Sequence, residues 1–76
     1  METIYIVQGF VAGKRGELTP MQPIAFKTEA EARSRAARLG LTCDGVIAFA
    51  QAADIDAGEY SDPIMIDLIG TVPKLS

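Results

Sequence analysis

Four carboxylates fall within nine positions of this chain: Asp54, Asp56, Glu59 and Asp62, in the stretch DIDAGEYSDP. Hard oxygen ligands this close in sequence are what a calcium or magnesium ion takes. An EF-hand loop requires ligands at positions 1, 3 and 5, glycine at 6 and a bidentate glutamate at 12. Counted from Asp54, the third ligand position is Gly58, the glycine position is Glu59 and the last position is Met65. The pattern fails at three places. Asp54, Asp56 and Asp62 remain candidates for a looser divalent-metal or small-ligand site. The competing expectation is a solvated hairpin connection, in which Gly58 permits a positive φ and Pro63 opens the next strand. That reading fits the stretch better.

Other chemistries find less support. The chain has no histidine, which removes the commonest transition-metal ligand and the commonest general base. Paired carboxylates do acid–base work when one of them is desolvated, and a loop tip is the wrong place for that. Asp67, inside an apolar stretch, is expected to face solvent. Cys43 has Asp44 beside it and no histidine to activate it, a poor setting for a thiolate nucleophile. The loop GKRG (13–16) lacks the glycine spacing and the Ser or Thr of a Walker loop. Lys14 and Arg15 are left as a weak anion contact. No catalytic residue and no cofactor are expected, and the chain reads as non-enzymatic.

The elements that would carry these residues can be placed from pattern. TIYIVQGFV is β-branched and aromatic and reads as a strand over about 3–11, apolar on both faces. AGKRGELTP is a polar loop, and MQPIAF a short strand over about 21–26, with Pro23 at an edge or at its start. Thr28 followed by Glu31 is a capping box that opens a helix over about 29–39. Glu29–Arg33 and Glu31–Arg35 are i,i+4 pairs, and Gly40 is expected to close the helix in the left-handed conformation. Its buried stripe is Ala32, Ala36 and Leu39; its arginines are expected to be a solvated face. Two further strands follow, about 45–53 and 63–69, with residues 71–76 expected to fray. The expected fold is α+β, a two-layer sandwich of order ββαββ: a four-stranded, mainly antiparallel sheet with one helix on one face.

At 76 residues the chain is one domain. Such a chain buries only about 60% of its unfolded surface, and its core yields roughly 3–5 kcal/mol. A single cysteine forbids an internal disulfide, so self-association is the expected further support. The hydrophobic fraction is 49%, high for so small an interior. Net charge is −3, which argues against nucleic acid as a partner. Residues 1–38 carry +2 and residues 39–76 carry −5. METIYIVQGF shows no targeting pattern, and no apolar run approaches the ~18–20 residues of a membrane span. A lone free cysteine fits a reducing cytoplasm.

The run from Ala48-Phe49 through Asp54, Asp56, Gly58, Tyr60 and Asp62, then an aliphatic strand ending at Gly70 and Pro73, resembles the C-terminal half of small bacterial proteins, mainly alphaproteobacterial and of unassigned function. The resemblance covers roughly residues 46–73 and, more loosely, the alanine-rich helix. It implies a bacterial, cytoplasmic single-domain protein and transfers no catalytic residue.

One thin helix cannot cover four strands. The uncovered sheet face is expected to expose some of Tyr5, Val7, Met65 and Ile69, or whichever apolar set faces away from the helix. A contiguous apolar patch of that kind usually marks an interaction site. The leading expectation is therefore a binding module that forms a homodimer, or meets another protein, through its sheet.

Overall fold

The computed structural model describes residues 2–54 and 56–72. The elements in chain order are β1 (Glu2–Ala12), β2 (Leu18–Pro20), β3 (Ile24–Phe26), α1 (Glu29–Leu39), β4 (Gly45–Asp54), β5 (Glu59–Tyr60) and β6 (Ile64–Gly70). The fold is α+β, one helix on an antiparallel sheet. Long β1 and β4 form its spine, paired from Glu2↔Ala53 to Phe10↔Gly45. β2 and β3 both pair with β1, and β5 and β6 both pair with β4.

The sheet thus has six strands rather than four, and the chain order is not ββαββ. Both edges are broken beside a proline, which has no N–H to give to a ladder. Leu18–Pro20, expected as loop, pairs with β1, and the expected strand 21–26 shrinks to Ile24–Phe26. Pro23 lacks an N–H and lies in the gap. There Met21 N–H donates to the Gly9 carbonyl at 2.8 Å, and Gln8 Nε2 donates to the Met21 carbonyl at 3.0 Å. On the other edge the gap is Ser61–Pro63. Ser61 N–H donates to the Ala52 carbonyl at 2.8 Å, and its hydroxyl accepts from Ala52 N–H at 3.0 Å. One side-chain oxygen replaces a missing backbone carbonyl.

Thr28, in extended backbone (φ −127°), caps α1: its Oγ1 accepts from Glu31 N–H at 3.2 Å and donates to Glu31 Oε1 at 2.9 Å. Glu31 therefore spends its carboxylate on the cap rather than on Arg35. Glu29 and Arg33 do pair, at 2.8 Å. The C-terminus departs from expectation, because Gly40 is right-handed (φ −61°, ψ −18°). The helix runs out through turns instead: Leu41 N–H donates to Arg38, and Thr42 and Cys43 N–H to Leu39. What Gly40 supplies is room, since a Cβ there would lie 3.1 Å from Ile69 Cγ2.

The core lies between α1 and the central strands. Val7, Ala32, Ala36, Val46 and Ala48 are fully buried, rimmed by Tyr5, Phe26, Leu39, Cys43, Ile66 and Ile69. Alanine on the helix meets alanine on β4, so backbone layers approach closely. The cost is small buried area: the largest fully buried side chains are Val7 and Val46, each worth roughly 1.5–3 kcal/mol. The helix is well specified locally and thinly anchored.

Candidate interaction surface

Strand alternation puts Ile4, Ile6, Gln8 and Phe10 of β1, and Ile47, Phe49 and Gln51 of β4, on the face away from α1. Which β6 residues join them depends on a bulge. Val46↔Ile69, Ile47↔Leu68 and Ala48↔Asp67 pair directly, but the next pair is Phe49↔Met65. Ile66 is the extra residue, and the parity of β6 reverses at that point. Ile66 and Ile69 consequently both pack against the helix-side core. Leu68 and Met65, three residues apart, share the open face with Ile47 and Phe49.

This corrects the expected surface residues. Val7 is fully buried beneath the helix, and Tyr5 and Ile69 pack against that core. They cannot form the open face, because residues 5 and 7 share β1's helix-side parity and the bulge returns Ile69 to the same side. Of the four, only Met65 is on the open face, 45% exposed; Leu68 beside it is 53% exposed. Ile47, Phe49, Pro63 and Met65 line an apolar hollow of about 350 Å³ there. Phe10 and Ile47 are nonetheless nearly buried, so the bare part of this face is concentrated on the β4–β6 side.

The acidic stretch forms a tight hairpin between β4 and β5, with Asp54 opposite Glu59. Asp54 Oδ1 accepts from Ala57 N–H at 3.3 Å, and Gly58 takes φ +68°. Among the described residues, no group of three or more His, Cys, Asp or Glu is arranged to hold a metal ion. Asp54, Asp56 and Asp62 are therefore not brought together, and Asp54's carboxylate is occupied by the turn. Tyr60, at 65% exposure, stands open beside them.

Lys14 and Arg15 lie in the exposed β1–β2 turn. Glu17 fills that turn: its carbonyl accepts from Gly13 N–H at 2.7 Å and its Oε2 from Arg15 N–H at 3.2 Å. The loop supplies its own anion. Asp67 is half-buried at the bulge, and its Oδ1 accepts from Leu68 N–H at 2.9 Å. The Cys43 thiol donates to Met21 Sδ at 3.3 Å above Gly9, where a Cβ would meet both sulfurs.

Sequence reasoning missed the role of Asp44. Its Oδ2 accepts from Ala12 N–H at 2.7 Å, its own N–H donates to the Phe10 carbonyl at 3.0 Å, and its carbonyl accepts from Thr71 N–H at 2.9 Å. Asp44 ties the ends of β1, β4 and β6 together. The Asp-Gly pair between a helix and an apolar run was the available signal. Among the described residues, no helix is long and apolar enough to cross a membrane. No family model, curated protein or solved structure matches the chain.

Proposed function

We propose that this protein is a small non-enzymatic binding module that self-associates through the sheet face opposite α1. The supporting observation is the run of Ile47, Phe49, Met65 and Leu68 on one side of β4 and β6, where Met65 and Leu68 are about half exposed and Met65 helps line an apolar hollow. A second copy is the occupant this patch suits. A two-fold axis places the same apolar strip against itself, and a core this thin gains stability from the added burial. In this reading the broken edge strands act as the outer columns of a two-layer, four-column sandwich, and the cytoplasm is its compartment.

The test is sedimentation equilibrium of wild type, Met65→Glu and Leu68→Glu across micromolar to high-micromolar concentration. Wild type is expected to dimerise and both variants to dissociate at least tenfold more readily, since a buried unpaired charge is costly. A wild type that stays monomeric at high micromolar concentration overturns the proposal.

A further inference from the structure

A second surface has different chemistry. On the outer side of α1, Phe26, Ala30, Glu31, Ser34, Arg35 and Arg38 line an open groove of about 440 Å³. Phe26 is half-buried at the margin of the core and presents an aromatic wall. Among the described residues, Arg35 and Arg38 have no ion-pair or hydrogen-bond partner, while Glu31's carboxylate is held by Thr28. The groove therefore offers two unspent guanidiniums, a serine hydroxyl and a ring face. Its complement is present on the same chain. The β4–β5 hairpin carries Asp56 and Glu59, neither with a side-chain partner among the described residues, next to the exposed ring of Tyr60. Guanidinium forks pair with carboxylates and stack on aromatic rings.

We infer that the acidic hairpin of a second copy docks in the Phe26–Arg35–Arg38 groove, each copy giving one hairpin and receiving one. The contact brings together the two oppositely charged halves of the chain, +2 over residues 1–38 and −5 over residues 39–76. The groove and the apolar face of β4 and β6 lie on opposite sides of the sheet, so a pair of copies makes one contact or the other, and the two respond to different substitutions.

The experiment is charge exchange, read by sedimentation with far-UV circular dichroism to confirm folding. R35E/R38E, with a dead groove, and D56K/E59K, with a dead hairpin, are each expected to weaken association by about tenfold, within the range of four exposed ion pairs, two at each hairpin. Mixing them restores it, because acidic groove then meets basic hairpin and intact groove meets intact hairpin. K14E/R15E carries the same net charge as R35E/R38E and is expected to associate like wild type. Equal loss in K14E/R15E, or a mixture that stays dissociated, overturns the inference. Loss with Met65→Glu alone overturns it while leaving the sheet-face contact standing; loss with R35E/R38E but not Met65→Glu does the reverse. Amide shifts at Ser34, Arg35 and Arg38 on adding inorganic phosphate, with a mass indifferent to hairpin charge, would assign the groove to a small anion and also overturn it.

Discussion

Ala36→Leu and Ala37→Leu place the same side chain at neighbouring positions of α1, and the structure predicts opposite outcomes. Ala36 is fully buried in the cluster with Val7, Val46 and Ala48; Ala37 is exposed. Leucine adds three carbons. At position 36 there is no free volume for them, because the opposing strand already presents Val46 and Ala48, and the helix must lift or tilt. Overpacking of this kind costs about 1–3 kcal/mol, against a total near 3–5 kcal/mol for a domain of this size. A loss of ~2 kcal/mol lowers Tm by roughly 8–16 °C. At position 37 the leucine lies in water, and the change stays within about 0.5 kcal/mol. Urea unfolding followed by circular dichroism, at one fixed protein concentration, separates the two, since linked association moves apparent stability. Equal shifts for both variants, or a gain from Ala36→Leu, would mean that the helix does not lie at alanine distance from β4.

Two further outcomes follow from the geometry. Gly45→Ala should destabilise by at least ~2 kcal/mol, in the upper range for single substitutions, because its Cβ would overlap the Thr71 carbonyl oxygen; Gly40→Ala, right-handed and with the Ile69 methyl as its one tight neighbour, should stay within about 1 kcal/mol, and denaturation midpoints check both. Titration with calcium and magnesium should leave the amide resonances of residues 54–62 in place, since the carboxylates are not convergent; saturable shifts there would restore a metal site.

Much of the fold was legible because it is written locally. A Thr28 hydroxyl three residues ahead of Glu31, Glu29 one turn before Arg33 and a glycine after Leu39 bound one helix by short-range hydrogen bonds and charge. β-branched runs on either side call for strands, and together they require an α+β domain. The hairpin nature of residues 54–62 was equally local, carried by an Asp that accepts from its own turn and a glycine at positive φ. The failure of the calcium-loop spacing needed no structure at all.

What the sequence could not carry was anything that depends on register or on distant backbone. Strict alternation grouped Met65 with Ile69, but one extra residue, Ile66, reverses parity halfway along β6, and that bulge exists only once β6 is paired with β4. The open face therefore keeps Met65, loses Tyr5, Val7 and Ile69, and gains Leu68, Phe49 and Ile47. Gly40 was read for its conformational freedom but is right-handed, and what lies close to it is Ile69, 29 residues away. Pro23 was read as an edge or opening residue and Pro63 as opening the next strand, but only pairing to β1 and β4 showed that each lies in a gap dividing an edge in two. The sequence by itself determined the kinds of element, because those rest on residue type and spacing. The tertiary structure alone decided which apolar side chains the helix hides and which it leaves bare, because burial is set by the register of strands far apart in the chain.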